Sequence, residues 1–138
     1  MTGVQTCALP ISEIAAADPI LFPPGEATIA EGSGAVLDRL AETLRRCDAN
    51  AEIEVGGHTD SQGSEDYNLR LSRARAEAVR EALLRRGAPA RLLSARGYGE
   101  TAPIADNSGE AGRALNRRIA FAALDAKAES GAGAQARP

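Results

Sequence analysis

Between Ser64 and Pro89 the chain spells out a whole helix, including both of its ends. Ser64 offers a capping oxygen, and Glu65 and Asp66 place acids in the first turn, where the helix dipole is positive. Leu71, Ala74, Ala78, Val79, Ala82 and Leu83 follow at the spacing of one apolar face. Arg85 and Arg86 suit the negative end, Gly87 the left-handed position just past it, and Pro89 blocks continuation. A helix with one apolar face needs a surface to bury it against. Strands on either side supply that surface: Glu52 to His58 alternates Ile53, Val55 and Gly57 with Glu54, Gly56 and His58, as a half-buried strand does.

The remaining elements extend the same pattern. Ile20-Leu21-Phe22, stopped by Pro23-Pro24-Gly25, reads as a brief first strand. From Ser33, a candidate cap, the positions Leu37, Leu40, Ala41, Leu44 and Cys47 predict a helix with one buried side. Leu92 to Tyr98 predicts a third strand. A polar connection with a short helix near Gly109 to Leu115 leads to a last strand over Arg118 to Ala123, with Ile119 and Phe121 facing inward. The expected fold is therefore an α/β (α+β) two-layer sandwich, β-α-β-α-β-β on a small mixed sheet.

At 138 residues this is one domain with a real core. Aromatic residues make up 3% with no Trp, so the core must come from Ala, Leu, Ile and Val. A net charge of -3 and only two Tyr and two Phe argue against nucleic acid as a partner. No run approaches the roughly 20 apolar residues that a membrane-spanning helix needs, so no direct membrane insertion by this segment is expected. Met1 to Ile11 (MTGVQTCALPI) has no amphipathic period and matches what a widely used sequencing adapter encodes in one frame. Residues 1–12 are accordingly read as a non-native segment, 18–124 as the domain and 126–138 as a disordered tail. With Cys7 set aside no disulfide is expected, and Cys47 reads as a small buried hydrophobe.

The run Gly57-His58-Thr59-Asp60, Tyr67-Asn68, Leu71-Ser72 and Arg75-Ala76 carries the functional signal. The strand ending at His58 delivers Asp60 to the carboxyl end of the sheet, where open α/β sheets commonly place ligands. Arg75 sits on or beside the helix's apolar stripe, where a charge is costly unless paired. Asp60 is the nearest acid that the geometry supplies. Two readings follow: a salt bridge between loop and helix, or two separated charges that hold a small zwitterion, Arg meeting its carboxylate and Asp its ammonium.

GGHTDSQGSEDYNLRLSRARAEAVREAL, then GYGETAPIADN and GRALNRRIAF, resembles the OmpA C-terminal peptidoglycan-binding domain, also found in peptidoglycan-associated lipoproteins and flagellar motor stator proteins. The resemblance runs from about Pro19 to Leu124. It implies a non-covalent cell-wall anchor that grips the diaminopimelate side chain of the stem peptide, with Asp60 on the ammonium and Arg75 on the carboxylate. Leu71 lines the same pocket, with Thr59 and Asn68 beside it. Many relatives carry an Asp after the first strand, where this chain has Pro23-Pro24-Gly25, so a contact from that loop would use backbone. The resemblance further implies a periplasmic, outer-membrane-associated location through a missing upstream region, because the N-terminus lacks a secretory signal. The alternative class is a protein interaction module of an envelope or motor complex, with Asp60 and Arg75 as a structural salt bridge.

No catalytic residue, metal or cofactor is expected. His58 is the only histidine, and no second His or Cys completes a triad or metal site with it. The Gly56-Gly57 pair and Gly63 lack the Lys-Ser/Thr of a phosphate loop, and Asp60 would repel phosphate. Asn116-Arg117-Arg118 and Asn107 read as turn and strand-edge structure, and Tyr98 as a packed strand-end aromatic.

Overall fold

Strand β1 (Ile53–His58) buries Ile53 and Val55 and occupies the centre of a three-stranded sheet ordered β2-β1-β3. In this computed structural model, which describes residues 8–47 and 52–124, β2 (Leu93–Gly99) runs parallel to β1 and β3 (Arg118–Ala123) antiparallel to it. Parallel neighbours need a crossover, and the long helix provides it. Helices α1 (Ala8–Ala17), α2 (Gly34–Arg45) and α3 (Glu65–Arg85) precede and follow β1, while α4 (Glu110–Asn116) leads into β3. One core of Leu, Ile, Val and Ala with Phe121 joins helices and sheet, as the scarcity of aromatics requires. The two-layer α+β architecture read from the sequence is the one observed.

Helix α3 follows its written ends. The Ser64 hydroxyl accepts from Tyr67 N–H at 3.1 Å. Gly87 has φ +98°, its N–H donates to Leu84 O, and Ala88 N–H donates to Leu83 O, the double carbonyl closure that ends helices at a left-handed glycine. The buried face, however, is Asn68, Ser72, Ala76, Val79, Ala82 and Leu83 rather than the predicted stripe through Leu71 and Ala74. The strands underneath explain the shift. A Cβ on Gly57 would lie 2.1 Å from Ser72 O, and one on Gly97 would lie 2.5 Å from Arg73 N. Helix and sheet approach so closely there that only small residues fit, whatever their polarity. Ser72 joins the layers, accepting from Gly99 N–H at 2.9 Å and donating to Leu69 O.

Three local expectations are corrected. Ile20–Phe22 forms no strand: Leu21 N–H donates to Ser33 Oγ and Leu21 O accepts from Ala30 N–H, while the two prolines that follow bring no donors for a ladder. Ser33 thereby serves Leu21 and makes no side-chain cap on α2. Cys47 is disulfide-bonded, contrary to the expectation of no disulfide; the only other cysteine in the sequence, Cys7, lies outside the described residues. Helix α1 starts inside the segment set aside as non-native, and there Ile11 is fully buried and Ser12 Oγ donates to Phe121 O at 3.0 Å. Residues 1–7 and the predicted tail 126–138 lie outside the described residues.

Candidate functional site

Beyond His58 the chain leaves β1 and turns at once. Thr59 N–H donates to Gly99 O at 2.9 Å, fixing the exit to β2, and Thr59 Oγ1 donates to Asp60 O at 2.8 Å. Asn68, buried on the first turn of α3, directs its amide at Gln62 O and Glu100 Oε1, both 2.9 Å away, and at Asp60 O, 3.4 Å away. The two side chains therefore shape the loop that presents Asp60. Asp60 is only 7% exposed. Its Oδ1 accepts from Gln62 N–H at 3.0 Å and its Oδ2 from Arg117 Nη1 at 2.8 Å.

Arg75 does not pair with Asp60. Its Nε donates to Glu26 O at 2.7 Å and its Nη2 to Pro23 O at 3.0 Å, and its guanidinium lies 4.9 Å from the centre of the Phe22 ring. The Pro23–Glu26 loop thus supplies carbonyls that orient Arg75, and among the described residues Nη1 makes no hydrogen bond. Burial lowers the Arg75 pKa from its ordinary value, with Tyr67 raising it and Arg117 lowering it further. Arginine stays charged through such a shift.

Asp60 and Arg75 open into one cavity of about 590 Å³, within the usual range for small-ligand sites. Thr59, Asn68 and Leu71 lie on its wall, as expected, together with Phe22, Tyr67 and Ile119. Three further lining residues were missed or read otherwise from the sequence: His58, Arg117 and Arg118. Arg117 bridges Asp60 to Glu110, donating to Glu110 Oε2 at 2.6 Å, and these two hydrogen bonds raise its pKa. The signal was topological. Antiparallel pairing sets Arg118 opposite His58, so Arg117 arrives beside the exit of β1 that carries Asp60. Asn116, by contrast, is structural as read: fully buried, it accepts from Ile104 and Ala105 N–H and donates to Ala105 O and Asn107 Oδ1.

His58 lies on the sheet face opposite the helices, stacked on Tyr98 with ring centres 4.9 Å apart, and Tyr98 donates to Glu54 Oε1 at 2.6 Å. Its Nδ1 is buried with no hydrogen-bond partner among the described residues. Burial first, and the Arg118 charge second, push its pKa down to about 4. The neutral ring is thus favoured in the folded state. Its contribution is complete above the unfolded value of about 6.5 and is lost as pH falls towards about 4, since the unfolded chain takes up the proton first. Urea unfolding should show the native chain losing about 2 kcal/mol more than His58→Phe between about pH 7 and pH 4.5. Equal losses would contradict the buried neutral ring.

Among the described residues no group of His, Cys, Asp or Glu is arranged to hold a metal ion, and no helix is long and apolar enough to cross a membrane. The structure is thus an α+β sandwich with a charged cavity at the exit of its central strand. Residues 21–117 match the OmpA family, and the chain belongs to that family. It is 48% identical over 77 residues to outer membrane porin F of Pseudomonas fluorescens, a match covering 56% of this chain and 23% of the porin. It is 37% identical over 101 residues to the peptidoglycan-binding protein ArfA of Mycobacterium bovis, covering 73% of this chain and 31% of ArfA. The crystal structure of the peptidoglycan-associated lipoprotein from Burkholderia pseudomallei superposes with a TM-score of 0.70 at 31% identity, covering 78% of this chain and 92% of that one.

Proposed function

We propose that this domain binds peptidoglycan non-covalently through the diaminopimelate end of the stem peptide and so anchors a parent envelope protein to the cell wall. The binding unit is residues 18–124, acting in the periplasm in association with the outer membrane. Asp60 receives the ammonium and Arg75 the carboxylate, Leu71 packs on the aliphatic stem, and Thr59 and Asn68 hold the Asp60 loop in place. One observation carries this reading: Asp60 and Arg75 share a cavity without bonding each other, each held by other partners. The structural salt bridge between them, on which the interaction-module alternative rested, is not formed. The names of ArfA and of the peptidoglycan-associated lipoprotein, relatives over most of this chain, support the same partner.

Binding rather than chemistry fits the residues. Burial favours the neutral ring of His58, which is stacked on Tyr98, and among the described residues no nucleophile is hydrogen-bonded to it. Two charge-assisted contacts contribute about 1.5–3 kcal/mol each, which gives moderate affinity that repeated wall sites multiply. The domain should co-sediment with purified sacculi, and free meso-diaminopimelate should release it while cadaverine, which lacks carboxylates, should not. Retention indifferent to diaminopimelate would refute the proposal.

A further inference from the structure

Asp60 has a cation on it already. Its Oδ2 accepts from Arg117 Nη1 at 2.8 Å, its Oδ1 accepts from Gln62 N–H, and the residue is only 7% exposed. An ammonium arriving at the same carboxylate would stand beside the guanidinium, and like charges at that range repel. One buried carboxylate cannot answer both cations in full.

The way Arg117 is held sets it apart from the other arginines nearby. Arg75 donates to Pro23 O and Glu26 O, and Arg118 to Asn116 O and Ala102 O, so backbone fixes both of those heads. Among the described residues the Arg117 head donates to carboxylates alone: Asp60 on the cavity wall and Glu110 on the first turn of α4. The Glu110 contact is the shorter, at 2.6 Å, and Glu110 is exposed and off the cavity wall. Its hydrogen bond is also the larger cause of the raised Arg117 pKa, with that of Asp60 second. Arg117 can therefore release Asp60 and still keep a partner. Its side chain is 39% exposed, so water can solvate the freed nitrogen.

We propose that Arg117 is a built-in competitor for the ammonium position: a ligand's ammonium displaces it from Asp60, and Glu110 then holds it alone. The proposal rests on the reading of Asp60 as ammonium acceptor given above and adds the residue that sets a threshold on that contact. A ligand must return more than the Arg117–Asp60 pair gives up. A simple amine finds its return at Asp60 only, whereas an amino-acid end gains at Arg75 as well, so Arg117 keeps simple amines out of the cavity. The same pair compensates a buried carboxylate, and removing it leaves that charge unanswered. Stability and affinity thus oppose each other at Arg117.

The test is calorimetric titration with L-Ala-γ-D-Glu-meso-diaminopimelate and with L-Ala-γ-D-Glu-L-Lys, which offers the ammonium without the neighbouring carboxylate. Arg117→Gln should bind the first peptide about tenfold tighter than the native domain does, gain by a similar factor on the second, and unfold at a lower temperature. Arg117→Lys, which keeps a cation beside Asp60, should gain less. Glu110→Gln, which leaves Arg117 no carboxylate but Asp60, should bind the first peptide more weakly, and in an Arg117→Gln background it should change little. That non-additivity separates an action through Arg117 from a direct effect of the Glu110 charge. Unchanged or weaker binding by an Arg117→Gln domain that still unfolds cooperatively would overturn the proposal, as would an equal effect of Glu110→Gln with and without Arg117. Should Arg117→Gln fail to fold, Glu110→Gln alone decides, and unchanged or tighter binding by it overturns the proposal. In each of these events, native binding that depends on Asp60 and Arg75 leaves the proposed function standing; failure of the native domain to bind the diaminopimelate peptide overturns both.

Discussion

Asp60→Ala and Arg75→Ala should each lose retention on purified sacculi while still unfolding in one cooperative thermal transition. Each change removes one of the two charge-assisted contacts proposed for the ligand, a loss of about 1.5–3 kcal/mol, or roughly ten- to more than a hundredfold in affinity. Starting from moderate affinity, a loss of that size takes a pull-down below detection. The fold should survive because neither group lies in the apolar core. In Asp60→Ala, Gln62 N–H and Arg117 Nη1 lose their acceptor, but Arg117 keeps Glu110 and is partly exposed, so water can take the carboxylate's place. In Arg75→Ala, the carbonyls of Pro23 and Glu26 flank a loop tip, Pro24-Gly25, that is exposed, so water can replace the donor. Normal retention of both variants would remove the site, and unfolding of both would return the pair to a structural role.

The largest effect on stability is expected at Gly57→Val. The added Cβ alone would lie 2.1 Å from Ser72 O and 2.9 Å from Ser72 C, and both are backbone atoms that cannot rotate away. Helix α3 would have to lift from β1, separating the Ser72 hydroxyl from Gly99 N–H and opening the closest part of the helix–sheet contact. Overpacking a tight interior typically costs 1–3 kcal/mol and occasionally more; with backbone as the obstacle the upper end applies, about 3 kcal/mol or beyond. For a domain of this size that lowers Tm by roughly 10 °C or more. Gly34→Ala, which meets nothing within 4 Å at the start of α2, is the control and should be neutral or stabilising by up to about 1 kcal/mol. A Gly57→Val domain as stable as the native one would mean that helix and sheet are not in contact there.

The sequence made some elements legible and hid others for identifiable reasons. Helix α3, α2, the short helix before β3 and all three strands could be read because each depends on local signals: a cap, a left-handed glycine, an alternation, a periodic apolar face. The face that α3 buries was misread because Ser72 and Asn68 are polar, and nothing local announces that two strand glycines draw the helix close enough to favour small side chains over apolar ones. Ile20–Phe22 has the composition of a strand but finds its hydrogen bonds in Ser33 and Ala30, a tertiary choice. At the site, Asp60 and Arg75 were legible and their partners were not. Arg117 reaches Asp60 across 57 residues of sequence, a meeting fixed only by the β1–β3 register. Arg75 takes backbone carbonyls, which no residue identity advertises.

Where a diaminopimelate-bearing peptide touches the domain decides whether the cavity is its binding site. Backbone amide chemical shifts recorded while L-Ala-γ-D-Glu-meso-diaminopimelate is titrated into the domain locate that contact directly. Saturable shifts should concentrate in residues 58–62, 67–75 and 117–119, which surround the cavity, and should vanish in Asp60→Ala and Arg75→Ala. An unperturbed spectrum, or shifts gathered instead along the groove lined by Thr28, Glu31, Leu37 and Arg85, would contradict the assignment of the cavity as the binding site.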